Sequence, residues 1–163
     1  MIKKITEQDD FAILAKLLNE SFATVAKEYG LTKENCSTNS AFISCEDLQS
    51  QLTENREFYC YEDNCRIVGF IAIEKAIEPD TFYIEKVAVH PDCRHLGIGG
   101  QLMNFATNRI AELGGRRISI GLINANIILK EWYGKQGYTE FCVKSFDHLP
   151  FDVSIMEKFL LSK

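Results

Sequence analysis

The spacing of apolar residues changes along the chain, and each change marks an element. From Asp9 to Phe22 the stretch DDFAILAKLLNESF sets Phe11, Leu14, Leu17, Leu18 and Phe22 three and four apart, the period of a helix with one buried face, behind Asp9 and Asp10 as candidate caps. IKKI at 2–5 reads as an opening strand. Beyond Phe22 the helical pattern weakens and dissolves by residue 42 into polar turn formers, which predicts an irregular, mobile segment. A short second helix follows in SCEDLQSQL, with Ser44 as cap and Asp47 three residues on.

From residue 57 the period shortens. EFYCYE and RIVGFIAIEKA are rich in β-branched and aromatic residues and are separated by Asp63, Asn64 and Cys65, which predicts a hairpin. TFYIEKVAVH is a third strand of this group. A helix over 98–113 then carries Ile98, Leu102, Ala106, Ile110 and Leu113 on one face and stops at Gly114 and Gly115. RISIGLI, a short helix NIILKEWYGKQ ending at Gly137, and the strands YTEFCV and VSIMEKFL complete the order. This pattern predicts one mixed α/β (α+β) domain over residues 1–163.

Composition narrows the function classes. At 163 residues and 46% hydrophobic the chain is long enough for one full core and short for two domains. Its apolar runs fall well below the roughly 20 residues that cross a bilayer, and MIKKITEQDD is no export signal. Six cysteines, none in a CxxC pair, read as reduced thiols in a cytoplasm, with neither a disulfide frame nor a metal site. A net charge of −5 with dispersed basic residues argues against a nucleic-acid partner and leans toward a cationic small molecule or peptide.

The chemistry concentrates in RHLGIGG, residues 94–100, between a strand and a helix. A dinucleotide fingerprint needs a third glycine where Leu102 stands, and a Walker loop needs Gly-Lys-Ser/Thr where the chain has Gly100-Gln101-Leu102. Glycines at a helix start leave backbone N–H groups approachable, and the helix dipole adds positive potential, so the turn suits an anion such as pyrophosphate, with Arg94 adding charge. Taken alone, the glycines equally suit a tight strand-to-helix connection.

VAVHPDCRHLGIGGQL resembles the acyl-CoA-binding motif of the GNAT superfamily of N-acetyltransferases, in which a strand ending in V-x-V leads to R/Q-x-x-G-x-G/A at a helix start. Arg94, Gly97 and Gly99 occupy the signature positions. NANIILKEWYGKQGY resembles the second family motif, with Asn126 seven residues before Tyr133 and Gly137-Tyr138 at the family spacing. His95 and Leu96 stand where the family often has glycine followed by Lys, Arg or Gln, and Leu129 where alanine is common.

The resemblance implies a mostly antiparallel central sheet of six to seven strands flanked by about four helices, and acetyl-CoA as acyl donor without a metal. It implies direct attack by a primary amine of a small molecule or peptide. The loop residues Arg94, His95, Leu96, Gly97, Ile98, Gly99, Gly100 and Gln101 would hold the pyrophosphate. The backbone of Val87, Ala88 and Val89 would take the pantetheine arm. Asn126 would bond that arm or cap its helix, and Tyr133 would protonate the departing thiolate. An alkyl amine with pKa near ~10 must lose a proton before attack, and Glu85, two residues before Val87, is the candidate base or substrate contact. A solvent-facing charge on a strand is the plainer reading of Glu85.

His90, His95, His148, Asp152 and Cys93 are secondary candidates, while Trp132, Phe70, Phe82 and Phe105 read as core aromatics. Phe22, Tyr29, Phe42 and Tyr83 suggest a partly aromatic acceptor wall. Relatives of this size that pair as dimers make a homodimer an expectation. A non-catalytic acyl-CoA-binding module is the alternative from another functional class.

Overall fold

The computed structural model describes residues 1–161. Asp10 starts helix α1 (Phe11–Glu28), its carboxylate accepting from the N–H groups of Ala12 and Ile13, while Asp9 closes the preceding turn on Thr6. The helix does not fade at Phe22, as its polar composition suggested. Val25 and Ala26 extend the apolar face, and the chain leaves the helix at Gly30 with φ 62°.

The segment expected to be irregular and mobile is irregular in form but held in place. Asn35 accepts from Thr32 N–H at 2.8 Å, Asn39 caps a 3₁₀ turn at Ser40–Phe42, and Leu31 and Cys36 are buried against Ala26. Helix α2 (Cys45–Ser50) is capped by Ser44 as its sequence predicts.

Seven strands form one sheet: β1 (Ile2–Lys4), β2 (Arg56–Asp63), β3 (Arg66–Lys75), β4 (Thr81–Val89), β5 (Arg117–Ile123), β6 (Thr139–Lys144) and β7 (Val153–Phe159), in the order β1-β2-β3-β4-β5-β7-β6. With four α-helices, this is the expected class of fold. The β2–β3 hairpin turns at Asn64 and Cys65, both at positive φ, which suits a two-residue turn matched to strand twist.

Neighbouring strands are antiparallel except β4 and β5, and that exception shapes the molecule. These two pair in parallel only at Thr81–Arg117, Phe82–Ile118 and Tyr83–Ser119. Beyond Tyr83 both strands continue, to Val89 and Ile123, without pairing to each other. The sheet is therefore forked.

Each face buries its own apolar layer. Helix α3 (Ile98–Glu112) lays Leu102, Met103, Ala106 and Ile110 on Ile71, Ile73, Ile84 and Ile118. Leu113, expected on the same stripe, is 42% exposed, because the helix ends there and the chain turns away at Gly114, φ 85°. On the opposite face α1 and α2 cover Phe58, Cys60, Phe70 and Ala72. Phe82 is core as expected, and Phe105 is half-buried with its ring edge on Tyr59 at 4.7 Å.

Candidate functional site

The fork opens into a cleft of about 760 Å³, walled by β4 from Ile84 to Val89 and by β5 from Ile120 to Ile123. On one side β4 is hydrogen-bonded to β3, with Ala88 opposite Phe70 and Val89 opposite Gly69. Between Glu85 and Ala88 it carries one residue more than β3, and Lys86 takes up the extra length at φ 52°. A bulge of this kind bends a strand and re-aims its side chains. It separates β4 from β5 where the backbone of Val87, Ala88 and Val89 borders the cleft.

At the mouth of the fork the chain passes through a 3₁₀ turn at Pro91–Cys93 into α3. Gly97 precedes that helix in the left-handed region, φ 80°, and no side chain caps it, whereas α1, α2 and helix α4 (Ile127–Lys135) each have a side-chain cap. The first turn of α3 contains no acidic residue. The helix therefore turns uncapped N–H groups and the positive end of its dipole toward the cleft wall formed by Gly97, Ile98, Gly99 and Gly100.

Gly99 is needed for a second reason. A Cβ there would lie 3.2 Å from Cζ2 of Trp132, so the indole of α4 packs directly on the glycine turn. Trp132, expected in the core, is instead a half-buried wall of the cleft beside Leu129 and Ile128. The four-residue spacings Ile128–Trp132 and Leu129–Tyr133 were the available sign that adjacent stripes of one short helix face the same cavity.

Asn126 borders the cleft and caps α4, its Oδ1 accepting from Leu129 N–H at 3.2 Å. Tyr133 also lines the cleft while only 8% exposed, its ring edge-on to Trp132 at 5.0 Å and to Tyr138 at 5.9 Å. Burial pushes its phenol well above the usual tyrosine range, so the hydroxyl keeps its proton at neutral pH.

Glu85 stands in the opposite wall. The Arg56 guanidinium lies 3.7 Å from its carboxylate and 2.6 Å from that of Glu74. Burial raises the Glu85 pKa; Lys86 and Arg56 oppose the shift, and Glu74 adds to it. Glu85 is therefore neither free in solvent nor locked in a close ion pair.

Arg94 borders the cleft, but its guanidinium is engaged elsewhere: one nitrogen donates to the Ser21 carbonyl at 2.7 Å and another reaches Thr24 Oγ1 at 3.3 Å, both on α1. His90 Nε2 lies 3.2 Å from a Glu20 carboxylate oxygen and from an Arg66 nitrogen, a further tie between this loop and α1. His95 and Cys93 line the cleft. Leu96 is 67% exposed and, like Gln101, is not among the lining residues; Gln101 accepts instead from the Tyr61 hydroxyl at 3.2 Å.

On the remaining side Val25 of α1 packs in one cluster with Leu149 and Phe151 of the β6–β7 connection, and Phe22 of α1 also lines the cleft. Of the other expected acceptor-wall residues, Tyr29 and Phe42 pack behind this group, and Tyr83 sits in the paired stem of the fork. His148 stacks near Phe146, and Asp152 accepts from Ser145; neither borders the cleft. Among the described residues no group of three or more His, Cys, Asp or Glu could hold a metal ion, and no helix is long and apolar enough to cross a membrane.

The sheet is forked between its two parallel strands, with an uncapped glycine turn at the mouth and a buried tyrosine across the gap. The chain belongs to the GNAT acetyltransferase family, whose model matches residues 15–138. No curated protein matches it in sequence. Among solved structures, the ribosomal-protein-S18-alanine N-acetyltransferase from Escherichia coli superposes with a TM-score of 0.78 at 14% identity, covering 100% of this chain and 95% of that one. An aminoglycoside 6'-acetyltransferase type Ii matches at 0.73 and 20%, covering 100% and 99%. The PaiA N-acetyltransferase from Thermoplasma acidophilum, solved with coenzyme A, matches at 0.68 and 22%, covering 98% of each chain. At these identities the likeness is one of fold.

Proposed function

We propose that this protein moves an acetyl group from acetyl-CoA to a primary amine of a small molecule or peptide by direct attack. One observation carries the reading: a single cleft joins the uncapped glycine turn, the unpaired edge of β4, Tyr133 and Glu85. The residues fit the donor. An anion is matched by the open N–H groups before α3, where a Cβ at Gly97 or Gly100 would meet nothing within 4 Å and the backbone is correspondingly approachable. An extended amide-bearing arm is matched by the free backbone groups between Val87 and Val89.

Bound acetyl-CoA supplies an activated thioester, and the protein supplies position and protons. Backbone N–H groups of the β4 edge polarise the acyl carbonyl, a contribution worth about 3 kcal/mol in comparable sites. Glu85 accepts a proton from the incoming ammonium, directly or through a water. The freed amine forms the new C–N bond and gives up its second proton to water as the C–S bond breaks, and Tyr133 donates its proton to the departing sulfur. Transfer of the proton held on Glu85 to solvent and reprotonation of Tyr133 from solvent restore the starting state.

The test is release of free CoA thiol from acetyl-CoA in the presence of a panel of amines, with melting temperature measured in parallel. Amine-dependent thiol release supports transfer. A melting temperature raised by CoA with no release from any amine would replace the enzyme with a non-catalytic CoA-binding module.

A further inference from the structure

The geometry points to a small monoamine with an apolar body as the acceptor; this rests on the acetyltransferase reading and names the substrate class for the same cleft. Among the described residues lining it, Glu85 is the one carboxylate, while Lys86, Arg94 and His95 bring ionisable nitrogens. Behind Glu85, Arg56 stands 3.7 Å from its carboxylate but is itself paired with Glu74 at 2.6 Å, so Glu85 is the acid that faces the cleft. One ammonium group can be received there. A second or third positive charge on the same molecule would meet Lys86 and Arg94 with no further acid among the lining residues to offset them, and like charges repel strongly away from bulk water.

The body of the acceptor is matched by what closes the cleft on its remaining side. Val25 from α1 and Leu149 and Phe151 from the β6–β7 connection belong to one apolar cluster, and Phe22 of α1 also lines the cleft. Two segments far apart in sequence thus form a joined apolar roof. Such a roof rewards a hydrocarbon or aromatic group, and leaves a hydroxyl-rich body with polar groups it must bury unpaired. Because the roof is continuous between the two segments, it suits a compact molecule better than a chain that has to run on past it.

The experiment compares phenethylamine, ethanolamine, spermidine and the peptide amide Phe-Gly-Ser-Gly at saturating acetyl-CoA, reading thiol release, with melting temperature in CoA measured for each amine. The expected result is a kcat/KM for phenethylamine at least tenfold above each of the others. Phe151→Ala should raise the KM for phenethylamine about tenfold, leaving the KM for acetyl-CoA and the rate with ethanolamine little changed, a split that general loss of structure would not produce. Spermidine or ethanolamine equalling phenethylamine overturns the inference, and so does a peptide that outperforms it. If CoA raises the melting temperature but phenethylamine neither reacts nor raises it further, the acceptor class is wrong and CoA binding stands. If CoA itself leaves the melting temperature unchanged, the donor reading fails and the acceptor class falls with it.

Discussion

Tyr133 and Glu85 reach the cleft from opposite walls, and their environments push both toward their protonated forms for the same reason, loss of water around a charge. In the proposed reaction this keeps a proton on Tyr133 for the departing thiolate. Tyr133→Phe is expected to lower kcat about 10²-fold while changing CoA affinity little, measured by thiol release and by CoA titration. For Glu85 as the proposed base the sign runs the other way, because a base works only when deprotonated. Its raised pKa places the acidic limb of kcat/KM above the ordinary carboxylate range. Glu85→Gln removes that limb and leaves the amine to lose its proton unaided, so the pH profile moves to higher pH. An unaltered profile in that variant would exclude Glu85 as the base. At this scale legibility follows sequence distance. Asn126 could be read as a cap because its partner Leu129 is three residues away. The ties of Arg94 could not, because Ser21 and Thr24 lie about seventy residues earlier in the chain.

Among the elements, α3 and α4 meet at a point that neither helix announces alone. The glycines before α3 were legible as an approachable turn, yet the indole packed on Gly99 was not, since an amphipathic period reports that a face is covered and not what covers it. Gly99→Val would drive a side chain into the Trp132 ring and displace α4 from the turn. The expected outcome is at least tenfold weaker CoA binding in calorimetry. Gly115→Ala tests a different kind of contact, because a Cβ there overlaps the buried side chains of Ile110 and Phe82. It should cost about 1–3 kcal/mol in urea unfolding, the range for overpacking a filled core. The extension of α1 past Phe22 was illegible for a related reason: Val25 and Ala26 carry the apolar face onward through a stretch whose composition looks polar, and their partners come from Leu31, Cys36 and the β6–β7 connection.

At the scale of the whole molecule, one charge network fastens the β1–β2 edge of the sheet to α3. Glu57 on β2 accepts from Arg109 on α3 at 2.9 and 3.0 Å, from Lys4 on β1 at 2.8 Å and from the Tyr59 hydroxyl at 2.7 Å. Arg109 chiefly, with Lys4 and Tyr59, holds the Glu57 carboxyl down to about 2 against the opposing effect of burial. A carboxylate whose pKa is depressed by folding stabilises the native state above its unfolded value near 4.5 and ceases to do so as pH falls toward 2. The melting temperature should therefore drop between pH 4.5 and 2, and Glu57→Gln should be less stable at pH 7 with a flatter acid dependence. The order of strands and helices followed from periodicity, but the fork did not. Every strand in it has ordinary strand composition, and the bulge that bends β4 within the fork sits at Lys86, a single residue at positive φ.

That early parting has a consequence for how the sheet breathes. Three residue pairs are all that tie β4 to β5, so the backbone of β4 that faces β5 lacks the strand neighbour that shields its amide hydrogens elsewhere in the sheet. Amide hydrogens on that side should exchange with solvent deuterium far faster than those bonded to β3, and a ligand lying in the gap would slow them as an absent eighth strand would.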